Sequence, residues 1–118
     1  MKGLSSSADL TPLIGREVLQ LCIGMHQLQI HFDNHVGVMV ESECVLRGPA
    51  AEDLRVDSYA LAASSMCTLL GQQVQSASRT EQGGLLLRFT TEAELEVLND
   101  SSHYESFQIH IGSRIYVA

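Results

Sequence analysis

Between Gln27 and Asp33 polar and apolar residues alternate, with Leu28, Ile30 and Phe32 set between Gln27, Gln29, His31 and Asp33. A period of two turns one face toward a core and the other toward water, so this run predicts a half-buried strand. Val36, Val38 and Val40 resume the alternation after Asp33-Asn34-His35, which predicts a hairpin with its apolar residues in register. A third strand is expected from Glu17 to Ile23, across the break at Gly24-Met25-His26, making a three-stranded meander.

The same pattern occurs twice. Leu13-Ile14-Gly15-Arg16-Glu17-Val18 reads like Leu69-Leu70-Gly71-Gln72-Gln73-Val74 at an offset of 56 residues. Leu28, Ile30 and Phe32 match Leu85, Leu87 and Phe89, and Val36, Val38 and Val40 match Ala93, Leu95 and Val97, now at an offset of 57. Two copies predict a pseudo-symmetric domain rather than a solenoid, which needs three or more repeats to bury its faces. The second meander runs through strands at about 73–79, 85–89 and 93–97, with a three-residue connection at Thr90-Thr91-Glu92.

Between the copies, Gly48-Pro49 stops the first sheet and residues 50–56 read as a polar connection. Tyr59, Ala62, Ala63, Met66, Leu69 and Leu70 then follow the spacing of one helix face, with Asp57 as N-cap and Gly71 as stop. A helix over about 58–70 packed on the sheet is therefore expected. Near the end, Phe107, Ile109 and Ile111 alternate again, and Gly112-Ser113 has the composition of a type II′ turn leading back through Ile115 and Val117. The predicted fold class is α+β: two pseudo-repeated antiparallel meanders (about 13–48 and 69–118), one intervening helix and a C-terminal hairpin. It forms a single domain over 11–118 behind a flexible tail at 1–10.

Charge and composition narrow the function. Acidic residues outnumber basic ones fourteen to seven, for a formal charge of −7, and Lys2 is the only lysine. Phosphate binding needs clustered cations, so no nucleic-acid partner is expected and a basic protein suits better. No apolar run approaches the roughly 20 residues that span a bilayer, so no membrane partner is expected. The start lacks the apolar stretch of an export signal, which points to the cytoplasm. Cys22, Cys44 and Cys67 are odd in number and form no C-x-x-C pair, which argues for reduced thiols over a disulfide framework or zinc ribbon.

Catalytic chemistry finds little support. His31 and His35 flank the first hairpin and His103 and His110 lie near the end, but no local cluster supplies the four ligands of a structural zinc site. No nucleophile elbow or phosphate-binding glycine loop occurs, and Cys67 falls near the expected helix C-terminus, where the dipole disfavours a thiolate. No enzyme activity, metal or cofactor is expected. Glu92, Glu94 and Glu96 alternate with Ala93, Leu95 and Val97, which puts three carboxylates on one outward face. Such a strip either solubilises an edge or steers a basic partner. His103, Tyr104 and Glu105 add an amphipathic ring between polar neighbours, and together with Glu92, Glu94 and Glu96 they form the candidate partner-binding set.

Leu13-Ile14-Gly15-Arg16-Glu17-Val18, Leu69-Leu70-Gly71 and Tyr104-Glu105-Ser106-Phe107-Gln108-Ile109 resemble a small bacterial domain family of unknown function. Small acidic domains of this sort resemble the immunity proteins of bacterial toxin systems. The resemblance implies stoichiometric binding and neutralisation of a co-encoded toxin. The alternative reading is a small-ligand-binding or regulatory domain with a cleft between the two β units. The final strand, Arg114 to Ala118, is a candidate sheet edge open to a homodimer mate.

Overall fold

A computed structural model describes residues 3–24, 27–48, 53–56, 66–99 and 106–118, the segment 53–56 by its backbone only. Among these residues ten strands form two five-stranded antiparallel sheets. The first contains β1 (Val18–Ile23), β2 (Leu28–Phe32), β3 (Val36–Val40), β9 (Phe107–Ile111) and β10 (Arg114–Val117), hydrogen-bonded in that order. The second, in the order β5-β4-β8-β7-β6, contains β4 (Cys44–Arg47), β5 (Asp53–Val56), β6 (Val74–Arg79), β7 (Leu85–Phe89) and β8 (Glu94–Val97).

Both meanders form as the alternation predicts, and each then sends a hairpin into the other's sheet. The first half supplies β1-β2-β3 to sheet 1 and β4-β5 to sheet 2; the second supplies β6-β7-β8 to sheet 2 and β9-β10 to sheet 1. The exchange pairs β3 with β9 and β8 with β4. Where the halves meet, their contacts are reciprocal: Gly15 N–H donates to Val74 O and Gly71 N–H to Val18 O, both at 2.8 Å. Val18 N–H donates to Gln72 O and Val74 N–H to Arg16 O, both at 2.9 Å. Gly15 and Gly71 sit at φ of +84° and +83°, the left-handed region that a side chain would strain. The repeat seen in the sequence is thus a pseudo-twofold of the structure.

Side chains of both sheets fill one apolar cluster, from Val18, Leu28, Ile30 and Val38 on one side to Leu85, Leu87, Phe89 and Leu95 on the other. Burying each large side chain contributes roughly 1.5–3 kcal/mol, so the halves stabilise one another through a common interior. Leu4 and Leu10 join this cluster, and Leu4 N–H donates to Gly83 O at 2.8 Å, which packs the segment 3–10 onto the body.

The α+β expectation is corrected. Among the described residues 51% are strand and no helix of seven or more residues occurs. Of the expected helix over 58–70, residues 57–65 lie outside the described set, and residues 66–69 form one 3₁₀ turn. Its physical origin is the repeat itself. Met66 and Leu69 are buried at the positions equivalent to Leu10 and Leu13, the N-cap and the last residue of the 3₁₀ turn Thr11–Leu13. A single tight turn burying residues i and i+3 imitates the start of a helix face. The supposed polar connection at 50–56 is corrected as well, since Asp53–Val56 is the edge strand β5.

Candidate functional site

The register lays out the two outward faces residue by residue. On sheet 2 a row runs from Ser76 through Arg88 and Glu94 to Arg47, and the next from Ser78 through Leu86 and Glu96 to Val45. Glu94 and Glu96 do project outward as their alternation predicts, but cations of the same face meet them. Arg88 donates to Glu94 Oε2 from Nη2 at 2.7 Å and from Nε at 2.9 Å. Arg47 Nη2 donates to Glu96 Oε1 at 2.9 Å, and its Nη1 lies 4.0 Å from Glu94 Oε1. Glu92 sits apart in the β7–β8 turn, exposed, at a φ of +73°. His103, Tyr104 and Glu105 lie outside the described residues.

The strip is therefore a mixed-charge ladder rather than an open acidic surface. Half-exposed ion pairs of this kind contribute about 0–1 kcal/mol each. Replacing Glu94 and Glu96 together with Gln is expected to lower the unfolding free energy by no more than about 2 kcal/mol in urea titrations. Charge reversal is the poorer probe, because it would set new cations beside Arg47 and Arg88.

Sheet 1 differs on both its edges and its open face. Of the large apolar side chains left exposed, Leu19 (57%) and Ile23 (45%) belong to β1, and Ile115 (52%) and Val117 (45%) to β10. These strands are the two edges of sheet 1, so the expected edge at Arg114–Val117 is present. At its start, the Tyr116 hydroxyl accepts a hydrogen bond from Arg114 Nη1 at 3.2 Å, which holds the guanidinium above its ordinary pKa. Between the edges, Gly37 pairs with His31 on one side and His110 on the other. An open depression of about 540 Å³ lies there, lined among others by His31, Asp33, His35, Gly37, Met39 and His110. His31 and His110 each stand two residues after a glutamine on the same face. His31 Nε2 is 2.9 Å from Gln29 Oε1, and His110 Nε2 is 2.9 Å from Gln108 Oε1. Among the described residues, no group of three or more His, Cys, Asp or Glu side chains is arranged to hold a metal ion.

Sequence reasoning placed His31, His35 and His110 on a surface and no further. The signal that brings His31 and His110 together is the pairing of β3 with β9, which local alternation does not encode. Of the cysteines, Cys44 is buried, Cys22 half-buried and Cys67 exposed. None of the described helices is long and apolar enough to cross a membrane.

These features define an all-β domain of two interlocked pseudo-repeats, with one face neutralised by internal ion pairs and the other open and edged by apolar strands. A family model described as a family of unknown function (DUF6188) matches residues 9–118, and the chain belongs to that family. No curated protein matches the chain. No solved structure matches it.

Proposed function

We propose that this chain is a stoichiometric protein-binding domain that docks its partner on the open face and edges of sheet 1. The observation that carries this reading is the exposure of Leu19, Ile115 and Val117 on the two edge strands beside the open face of that sheet, where Leu19 helps to line the polar depression and Ile115 pairs with His110 of its wall. An apolar border around polar groups suits a specific interface. Edge strands also present unpaired backbone groups to which a partner strand can add. The formal charge of −7 favours approach of a basic partner over long distances, while local contacts set the docked pose.

The setting we propose is an immunity protein that neutralises a co-encoded bacterial toxin in the cytoplasm. Its support is the small size and the acidic balance of the chain. A docking strip of Glu92, Glu94 and Glu96 has less support, because Glu94 and Glu96 would have to leave Arg88 and Arg47.

The test is growth rescue. Expressing the product of the adjacent reading frame alone is expected to arrest cells, and expressing this chain with it to restore growth. Ile115→Glu is expected to weaken binding by at least about tenfold, the loss of about 1.4 kcal/mol that a desolvated charge readily exceeds. Rescue that survives Ile115→Glu with unchanged affinity would remove sheet 1 as the docking face.

A further inference from the structure

The pseudo-twofold makes sheet 2 an internal template for sheet 1. His31 is the equivalent of Arg88, and Gly37 of Glu94, both at the offset of 57. His110 pairs with Gly37 as Arg47 pairs with Glu94. In sheet 2 the middle position is a carboxylate between two basic side chains, Arg88 on Oε2 and Arg47 toward Oε1. In sheet 1 the two basic positions remain, as imidazoles, and the middle side chain is missing. We infer that the gap over Gly37 is a carboxylate-binding site, filled by a Glu or Asp side chain of the docked partner that takes the place Glu94 occupies in sheet 2. This inference rests on the protein-binding reading above.

The dimensions fit. Two flanking strands stand roughly 9.6 Å apart, twice the spacing between neighbours. A carboxylate accepting a bond on each side needs donors separated by about 8 Å, allowing about 2.8 Å per bond and about 2.2 Å between its oxygens. A slight inward lean of each ring closes the difference. His31 does lean: its Nδ1 lies 3.8 Å from the point where a Cβ of residue 37 would stand. Among the described residues neither ring Nδ1 has a hydrogen-bond partner, because the glutamines engage the Nε2 atoms. Each Nε2 faces an amide oxygen, which only accepts, so Nε2 donates there, and Nδ1 offers a second proton to the carboxylate from the protonated ring.

Two neighbours could oppose an anion here, and both are accounted for. Met39 Cε lies 3.0 Å from the same point, but it ends a flexible unbranched side chain that can swing aside. The Asp33 carboxylate in the wall of the depression accepts the Glu17 N–H at 2.9 Å and faces Arg16 at 3.7 Å, so its charge is directed elsewhere. The depression is open rather than enclosed. A free small acid would therefore bury little in it, whereas a carboxylate presented by a docked protein brings its own surrounding surface.

The probe is N-acetyl-glutamate α-amide, whose only carboxylate is the side chain, with N-acetyl-glutamine α-amide as its uncharged isostere. Imidazole nitrogen resonances of His31 and His110 are followed by NMR in the whole chain. Both rings are expected to shift saturably with the glutamate compound at a Kd of about 1 mM, and at least about tenfold more weakly with the glutamine compound. Gly37→Glu supplies the carboxylate internally and is expected to abolish the response while moving both rings in the direction the ligand moves them. Should that variant fail to fold, His110→Gln is expected to weaken the response at least about fivefold, a loss of about 1 kcal/mol. No saturable shift, or equal shifts with both compounds, overturns the site. Tighter binding of succinate than of an acidic peptide overturns the assignment to a protein side chain. None of these readouts needs the partner, so failure here and failure of the rescue test are separate outcomes.

Discussion

Phe107→Ala is expected to lower the free energy of unfolding by about 3–5 kcal/mol, the range for deleting a buried aromatic ring. Phe107 is 1% exposed and ranks among the largest fully buried side chains. It opens β9, the strand that the second half lends to the first half's sheet, and pairs there with Val40. Its ring therefore stabilises the exchange itself as well as one sheet. Against a total stability of about 5–15 kcal/mol for a domain of this size, the loss is a large fraction. Urea titration is expected to show a lower midpoint with an unchanged slope, since the surface exposed on unfolding stays nearly the same. Because the core is shared, probes placed in either sheet should report one transition.

Gly84→Ala is expected to cost about 1–3 kcal/mol, although it adds a single methyl group. A Cβ at residue 84 would stand 2.4 Å from the carbonyl oxygen of Val97 and 3.0 Å from Thr80 Oγ1. The first of these is backbone and cannot rotate away. Gly84 is also fixed in place, donating to Thr80 Oγ1 at 2.8 Å and accepting from Thr80 N–H at 3.0 Å. To admit the methyl group, β7 and β8 must part where Leu85 pairs with Val97. Gly48 has nothing within 4 Å of its Cβ position, so Gly48→Ala is the control, expected to change stability by less than about 0.5 kcal/mol. Thermal unfolding of the two variants side by side separates close backbone approach from a general cost of replacing glycine.

Local alternation made much of this fold legible. Leu28-Gln29-Ile30-His31-Phe32 and Leu85-Leu86-Leu87-Arg88-Phe89 bury every second residue on one face, and the strands form where that period runs. The repeat was equally visible, down to the paired glycines at 15 and 71. The pair β4-β5 was hidden for a physical reason. Cys44, Val45 and Leu46 are all buried, so no alternation marks the strand, and Gly48-Pro49 reads as an end although the chain returns in β5. The exchange of hairpins is a long-range pairing, which no window of neighbouring residues contains. Met66 and Leu69 misled because a 3₁₀ turn and a helix share the i, i+3 spacing.

The site was half legible on the same grounds. Glu94 and Glu96 were correctly placed on one outward face, but their cations come from β4 and β7, and only the register of sheet 2 brings Arg47 and Arg88 to them. The row His31, Gly37, His110 joins a hairpin to a strand about 70 residues farther along the chain, and it appears only once β3 is known to pair with β9.

The most direct test of sheet 1 as the docking face is a titration of the partner against two variants, one for each sheet, by calorimetry. Ile115→Glu is expected to weaken binding by at least about tenfold, while the double Gln replacement of Glu94 and Glu96 leaves the affinity within about twofold of the parent. The reverse order, with the Gln variant losing the partner and Ile115→Glu retaining it, would contradict the account and return the docking surface to sheet 2.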